Sequence, residues 1–306
     1  MQHLLATGRE RVEVVTSDER SPLPDGSVRV QVAYVGVCHS DIARVREGQG
    51  AFPSRLGHEV SGTVTETTSG IAVGTRVAAY VEDGYASEIV VPEERIVPLH
   101  DECSLLDGAL AEPLACVVGG IEMLDLSHTP RVVLVGAGFM GLMALRLLVA
   151  RGIPVTVVEP RERSRALAEA WGAERTLHPS DVPESMHQSA PVVVEATGGA
   201  AGLQLASDLT QIAGTLGVLG YHQSSGGKRS VDMESWNFRA LRVLSLHHRN
   251  RADVLMWMDR AQRLAAWKIV SPSALVDVSV GFDGLPDVFA GSVPPDAIKA
   301  VLDLTV

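Results

Sequence analysis

The sequence predicts an α/β protein in which a β-rich part precedes a doubly wound parallel sheet. In the first hundred residues, short strand-like runs alternate with turns, at 28–35, 59–67, 75–81 and 85–92. From about residue 130, strands alternate with helical runs, as is typical of a parallel sheet covered by helices on both faces. The final segments, "KIVSPSALVDVSVGF" and "AIKAVLDLTV", return to strand-like patterning.

Each element follows from the spacing of its apolar residues. In "VRVQVAY", Val28, Val30, Val32 and Tyr34 alternate with less apolar residues, which indicates a half-buried strand. Further along, the predicted strands are "RVVLVG", "PVTVVE", "PVVVEATG", "TLGVLGY" and "LRVLSLH". The predicted helices are "GFMGLMALRLLVARG", "ERSRALAEAWGA", "AAGLQLASDLTQIAG" and the segment 252–267.

The late return to strands predicts a discontinuous first domain with the α/β domain inserted into it. We expect residues 1–125 and 268–306 to form the first domain and residues 126–267 to form the inserted one. A chain of 306 residues is long enough for two separate cores.

Composition and charge exclude several classes of protein. The net charge is −11, with 46% hydrophobic and 21% charged residues, which predicts a soluble globular protein without a nucleic-acid or membrane partner. The longest apolar stretch, "VVLVGAGFMGLMAL", has 14 residues, fewer than a bilayer requires. The first residues lack the pattern of a signal peptide, and three widely spaced cysteines are typical of a reducing cytoplasm.

A glycine-rich turn lies between a predicted strand and a predicted helix. Gly136, Gly138 and Gly141 have G-x-G-x-x-G spacing, and Glu159 ends the next strand 18 residues after Gly141. Such glycines permit a tight turn, the approach of a pyrophosphate and close packing of the helix on the sheet, while the acid accepts hydrogen bonds from a ribose. The pattern predicts dinucleotide binding. A methyltransferase would be expected to carry an acidic residue in the first strand, and "RVVLVG" has none.

Residues that can bind a metal occur at three places. Cys38 closes a strand in "YVGVCHSD", His58 and Glu59 follow in "LGHEVSG", and Glu112 lies in "AEPLACVVGG". A lone cysteine or histidine at such positions is often a packing or turn residue. Together, a thiolate, an imidazole and a carboxylate form a competent three-ligand set for catalytic zinc, whose fourth position stays open.

These motifs resemble those of the zinc-dependent medium-chain dehydrogenases/reductases, on the alcohol, polyol and threonine dehydrogenase side. "GVCHSD", "GHEVSGTV", "GTRV", "YASEIVVPEE", "EPLACVVGG" and "VGAGFMG" occur in the order found in that family, over essentially the whole chain. The resemblance implies a GroES-like catalytic domain and a Rossmann cofactor domain. It implies the zinc ligands Cys38, His58 and Glu112, and the cofactor-binding residues Gly136, Gly138, Phe139, Met140, Gly141, Glu159, Thr197, Gly220 and Tyr221.

The resemblance also assigns roles around the zinc. Ser40 would take the proton of the substrate hydroxyl. Asp41 would hold the His58 imidazole in its ligating tautomer, and Glu59 would lie behind the metal. For the third ligand, Glu112, Cys116 and Glu59 are all open. We expect Glu112, at the start of a helix, to be the ligand and Cys116 to pack on the cofactor side.

The sequence departs from the family in two respects. The stretch "GTRVAAYVEDGYASEIV" contains no cysteine, so the lobe that carries a structural zinc in many relatives is expected to be missing, leaving one zinc per subunit. Position 43, often a histidine that extends the proton relay, is Ala43. His39 is either close to the pyrophosphate or a solvated turn residue.

The predicted activity is hydride transfer between a secondary alcohol, of a polyol, sugar or cyclitol, and NAD. Glu159 favours NAD, although Arg161, Arg163 and Arg165 could soften the preference. Tyr221, His222, Trp236, His247 and His248 are candidates for the pocket wall, or else loop residues. The alternatives are a ketone reductase using NAD(P)H and a dinucleotide-binding protein without turnover. We expect a homodimer or larger homo-oligomer, paired near "LRVLSLH", where an open sheet edge would be covered.

Overall fold

The computed structural model describes residues 1–18 and 20–305, except for the side chain of Ser225. Its strands are β1 Gln2–Gly8, β2 Arg11–Thr16, β3 Ser27–Gly36, β4 Glu59–Thr67, β5 Arg76–Ala79, β6 Glu88–Pro92, β7 Ile96–Pro98, β8 Val132–Val135, β9 Val155–Val158, β10 Arg175–Leu177, β11 Ala190–Glu195, β12 Thr210–Val218, β13 Arg242–Ser245, β14 Val276–Val280 and β15 Lys299–Asp303. Its α-helices are α1 His39–Glu47, α2 Leu105–Ala109, α3 Ala111–Glu122, α4 Phe139–Ala150, α5 Glu162–Ala170, α6 Ala200–Leu209, α7 Met233–Phe238, α8 Arg251–Ala266 and α9 Leu285–Ala290.

The chain divides into two compact units. The first comprises Met1–Ala115 and Asn250–Val306, and the second comprises Cys116–Arg249. Helix α8 therefore lies with the first unit, where it contacts β7 and α2, whereas the sequence predicts it as part of the inserted domain. The spacing of apolar residues predicts that a helix packs against a sheet, but it does not identify the sheet.

The first unit is built on a mostly antiparallel sheet. Its strand order is β14-β15-β3-β4-β5-β7, β6 also pairs with β3, and β1 and β2 form a separate two-stranded sheet. Alternate residues of β3, such as Val28, Val30 and Val32, enter a core shared with Leu4, Val60 and others. The centre of this sheet is thus fixed by β3, and Cys38 follows shortly after the end of this strand.

The second unit is a parallel sheet with the order β10-β9-β8-β11-β12-β13. All of its strand pairs are parallel, and β8 is buried along its whole length, as expected for a strand covered on both faces. The strand order reverses beside β8, and in such sheets ligands usually bind at the carboxyl ends of the strands on either side of the reversal, here β8 and β11. The predicted α/β fold class is confirmed.

One predicted boundary is wrong. The helix expected to continue through "TQIAG" ends at Leu209, and β12 begins at Thr210. Thr210 and Ile212 are β-branched, which favours extended backbone, and the Thr210 hydroxyl donates to the carbonyl of Ala206 at 2.8 Å to close the helix.

Among the residues that the structure describes, no helix combines the length and apolar character needed to cross a membrane.

Candidate active site

Three metal-capable side chains converge beside the ends of β3 and β4. Cys38 precedes α1 in extended backbone, and His58 directly precedes β4. One ligand atom from each of Cys38, His58 and Glu59 lies within 4.8 Å of the other two. Because β4 begins only at Glu59, the alternation of a strand does not govern His58, and both neighbours contribute to the cluster.

Glu59 is held by a buried ion pair. Lys299 Nζ donates to Glu59 Oε1 at 2.8 Å and lies 2.6 Å from Oε2, in a contact that lacks hydrogen-bond geometry. Glu59 is 1% exposed and Lys299 6%. A Cβ atom at Gly36 would lie 1.9 Å from Glu59 Oε2, so only glycine at position 36 leaves room for this carboxylate.

Asp41 lies in the first turn of α1 and faces His58. His58 Nδ1 is 3.5 Å from Asp41 Oδ2, and the Tyr85 hydroxyl donates to the same oxygen at 3.0 Å. Burial, followed by the charges of Asp41, Glu59 and Cys38, raises the pKa of Tyr85 well above its usual value. Tyr85 therefore stays a neutral donor that fixes the Asp41 carboxylate.

Helix α3 carries two further candidates for the metal. Glu112 is in its first turn, as the sequence predicts, and Cys116 follows four residues later; both are partly buried. Burial opposes protonation of His58 and by itself would lower its pKa. The pKa is raised overall, because His58 bonds to Asp41 and Cys38 and lies near the charges of Cys38 and Glu112. Glu112 is thus close enough to act on His58 electrostatically.

The remaining residues near Cys38 are on α1. The Ser40 hydroxyl donates to Cys38 Sγ at 3.0 Å, which brings the predicted proton carrier and the predicted thiolate ligand together. His39 is exposed, and Ala43 is partly buried one turn further along the helix.

This cluster fits a zinc ion. It offers a thiol, an imidazole and a carboxylate within the span of one coordination sphere. The raised pKa of His58 reports an excess of negative charge, which a divalent cation would neutralise.

The glycine-rich turn has the geometry that its spacing predicts. Gly136 has a φ of +100°, and a Cβ at Gly141 would lie 2.2 Å from the Gly136 carbonyl oxygen. Gly138 precedes the first residue of α4, where a side chain would stand between the helix N-terminus and an approaching phosphate. Phe139 and Met140 form the partly buried start of that helix.

Glu159 follows β9, as predicted, but its carboxylate is directed to protein donors. Oε2 accepts from the Ala137 amide at 2.8 Å, and Oε1 accepts from the Arg161 amide at 2.9 Å and from Arg161 Nε at 2.8 Å. Although burial raises the pKa of Glu159, the hydrogen bonds from Arg161 and Ala137 lower it overall. The side chain is an anion with most of its acceptor positions occupied.

The turns after β11 and β12 are joined by a buried polar network. Glu195, fully buried, accepts from the Thr197 amide at 2.7 Å and from His222 Nε2 at 2.9 Å. Arg229 Nε donates to His222 Nδ1 at 2.8 Å, so Nδ1 is an acceptor and the proton is on Nε2. A Cβ at Gly220 would lie 2.3 Å from the Gly198 nitrogen, so these turns touch through backbone.

The other pocket-wall candidates separate into two groups. Tyr221 is 57% exposed, with the ring of His247 edge-on at 5.8 Å and the guanidinium carbon of Arg249 at 5.4 Å from its centroid. Trp236 instead packs against the core of the second unit and donates to Ser207 Oγ at 2.7 Å, which favours a structural role for it. His248 is partly buried and stays a candidate.

Two family models match the chain in the order of its two folds. Residues 24–112 match the alcohol dehydrogenase GroES-like domain, and residues 140–263 match the zinc-binding dehydrogenase domain. The chain thus combines a β-rich metal-capable part with a dinucleotide-type sheet. It belongs to the zinc-type medium-chain dehydrogenases/reductases, as its motifs predict.

Two of the relatives in sequence are named for polyol substrates. The chain is 28% identical to galactitol 1-phosphate 5-dehydrogenase of Escherichia coli K12 over 53% of this chain and 56% of that protein. It is 31% identical to D-altritol 5-dehydrogenase of Agrobacterium fabrum over 58% of this chain and 63% of that protein. The matches therefore span little more than half the length of these relatives.

Solved structures share the fold over nearly the whole chain. A zinc-binding dehydrogenase of Sinorhizobium meliloti 1021, solved with NADP, superposes with a TM-score of 0.87 at 23% identity, covering 99% of this chain and 98% of that one. Galactitol-1-phosphate dehydrogenase of Escherichia coli gives 0.87 at 22% identity, covering 99% and 100%. At these identities the likeness concerns the fold.

Sequence reasoning missed Tyr85 and Lys299, which hold Asp41 and Glu59. The sequence carries a signal for Lys299, because this lysine directly precedes the apolar run "AVL" of a predicted strand, where a buried charge needs a partner. The sequence carries no such signal for Tyr85, since a buried tyrosine hydroxyl can bond to many acceptors.

Proposed function

We propose that the protein is a zinc-dependent oxidoreductase that transfers a hydride between a secondary alcohol, of the polyol, sugar or cyclitol type, and NAD. The observation that carries the proposal is the convergence of Cys38, His58 and the Glu59 carboxylate within 4.8 Å, in a chain that also has the glycine-rich turn of a dinucleotide-binding sheet. The names of the polyol dehydrogenases among its relatives support the substrate class.

The residues around Cys38 divide the work. When bound, zinc lowers the pKa of a hydroxyl group that it binds, and a nicotinamide ring accepts a hydride. Cys38 and His58 hold the metal, and Asp41 keeps the His58 imidazole in the ligating orientation, itself fixed by Tyr85. Ser40, beside Cys38 Sγ, takes the substrate proton outward.

Glu112 supplies the third ligand, and Glu59 supports the site from behind. The argument is electrostatic. The charge of Glu59 is already compensated by Lys299 at 2.6–2.8 Å, which makes that carboxylate a weaker ligand for a cation. Glu112 acts on His58 from the first turn of α3 and has the oxygen donor suited to substrates with neighbouring hydroxyls.

One zinc is bound per subunit, and NAD is preferred over NADP. The region that carries a second zinc in many relatives has no cysteine in this sequence. The anionic Glu159 disfavours a 2′-phosphate at the ribose. Gly136, Gly138 and Gly141 cradle the pyrophosphate with Phe139 and Met140, while Thr197, Gly220 and Tyr221 border the nicotinamide end.

The enzyme acts as a homodimer paired along β13. This strand is one edge of the six-stranded sheet, and an open edge invites pairing. Val243 on the strand is 39% exposed, and Phe238, which precedes it, is 85% exposed. A two-fold pairing of β13 strands would cover both.

The test combines metal analysis with a substrate screen. We expect one zinc per chain by elemental analysis, and NADH formation with some member of a panel of polyols, cyclitols and amino alcohols. Chelation should abolish turnover and added zinc should restore it. Cys38→Ala should lose zinc and turnover but keep NADH binding, whereas the matched Cys116→Ala should keep its zinc. Turnover in zinc-free protein, or no turnover with dinucleotide bound, would refute the proposal.

A further inference from the structure

The carboxylate of Glu159 has little capacity left for a ribose. Two oxygens offer about four acceptor positions, and four donors lie on them: the Ala137 and Arg161 amides, Arg161 Nε, and Arg161 Nη2 at 3.3 Å from Oε2. The residue is 3% exposed. A ribose hydroxyl must therefore displace one of these donors in order to bond to Glu159.

Arg161 is placed to act on the same end of the dinucleotide. It precedes the first residue of α5, and its side chain is 37% exposed. Its Nη2 atom lies 3.6 Å from the position that a Cβ at Gly138 would take, which places the guanidinium beside the glycine-rich turn. Of its five N–H donors, the Glu159 contacts engage one on Nε and one on Nη2.

Glu159, the acid that usually selects between NAD and NADP, is thus paired with the cation of Arg161. A free carboxylate bonds to the ribose hydroxyls of NAD and repels the 2′-phosphate of NADP. Here the charge of Glu159 is compensated by a guanidinium that keeps donors for a phosphate, to which arginine binds well. Arg165 holds the backbone on which this pair stands, because its Nη1 donates to the carbonyls of Glu159 and Pro160 at 2.9 and 2.7 Å.

We propose that Arg161 is a specificity-determining residue that admits NADP beside NAD, by masking Glu159 and presenting a guanidinium to the 2′-phosphate. The proposal rests on the function proposed above, in that the second unit binds a nicotinamide dinucleotide. The preference for NAD is then partial, and it becomes stronger when Arg161 is removed.

The test compares the affinities of NADH and NADPH for the whole protein by calorimetric titration, without any substrate. Arg161→Ala should weaken NADPH binding by about tenfold or more, the loss expected for a charge-assisted contact, and leave NADH binding unchanged or tighter. Arg161→Lys keeps the charge, so its affinity for NADPH should lie between those of the wild type and Arg161→Ala. The control is Arg175→Ala, which removes an equal charge from the start of β10, at the amino ends of the parallel strands and so at the other end of the sheet from Glu159.

The outcomes separate the two proposals. A selective loss of NADPH affinity in Arg161→Ala, absent in Arg175→Ala, supports the role of Arg161. If both dinucleotides bind the wild type and Arg161→Ala changes their affinities equally or not at all, the role is refuted and the proposed function stands. The same holds if the wild type binds NADH alone. If the wild type binds neither dinucleotide, both proposals are refuted.

Discussion

Replacement of Lys299 by methionine should destabilise the first unit severely. Methionine keeps the length of the apolar stem but removes the ammonium group, which bonds to Glu59 and to the Val37 carbonyl at 3.0 Å. Both partners of the ion pair are almost fully buried, so solvent cannot replace the lost charge. Breaking such a pair from one side costs about 3–5 kcal/mol.

The size of the effect allows a clear assay. In a domain of this size each kcal/mol shifts the Tm by about 2–4 °C, so Lys299→Met should lower the Tm by about 10 °C. Thermal and urea unfolding are followed in the presence of a chelator, so that no metal compensates Glu59. The matched control is Lys268→Met, since Lys268 is exposed and should change the Tm by about a degree or less.

A double variant isolates the pair itself. Glu59→Leu combined with Lys299→Met removes both charges and should recover most of the lost stability, because a buried pair replaced by apolar groups is often neutral or stabilising. The reasoning is refuted if Lys299→Met costs less than about 1 kcal/mol, or if the double variant loses the sum of the two single losses.

Three further predictions concern ligands, charge and assembly. Glu112→Ala should lose zinc or turnover while Cys116→Ala keeps its zinc by elemental analysis; the reverse pattern would identify Cys116 as the ligand. Arg29, buried between β4 and β6, donates to Glu88 at 2.8 Å, so Arg29→Met should lower the free energy of unfolding by about 2 kcal/mol near neutral pH. Burial raises the pKa of Glu88, but the hydrogen bonds from its arginine partners outweigh burial and lower this pKa below 4.5 overall. The ion pair therefore stabilises the fold above pH 4.5. The difference in free energy of unfolding between wild type and Arg29→Met, measured in urea, should shrink as the pH falls below 4.5. A difference that does not vary with pH would contradict this reading. Val243→Lys should turn the proposed dimer into a monomer in light scattering, and a wild type that is already monomeric at micromolar concentration would contradict pairing along β13.

The fold was largely predictable because its signals are local. The alternation in β3 and the glycine spacing before α4 follow from contacts between residues close in sequence. The close approach of Gly141 to the Gly136 carbonyl is what the motif requires. The assignment of α8 to a unit was not predictable, since an amphipathic helix carries no mark of the sheet on which it packs.

The site was predictable in its residue types but not in its partners. Cys38 and His58 come together as expected, because each lies at the end of one of two neighbouring strands. The contacts of Asp41 with Tyr85 and of Glu59 with Lys299 join residues 44 and 240 positions apart. Such pairs depend on the register between strands, which hydrophobic alternation fixes only to within two residues.

The two acids that the motifs single out, Glu59 and Glu159, are each held by a basic residue that the motifs do not include. Lys299 compensates Glu59 at the metal cluster, and Arg161 compensates Glu159 at the ribose position. A motif specifies a carboxylate, but the strength of that carboxylate as a ligand or acceptor depends on how much of its charge and how many of its lone pairs are already engaged. If the two sites have the roles proposed above, we expect metal binding at the first and cofactor choice at the second to depend on the paired cations. Substituting Lys299 or Arg161 should change these properties even though neither residue belongs to a recognised motif.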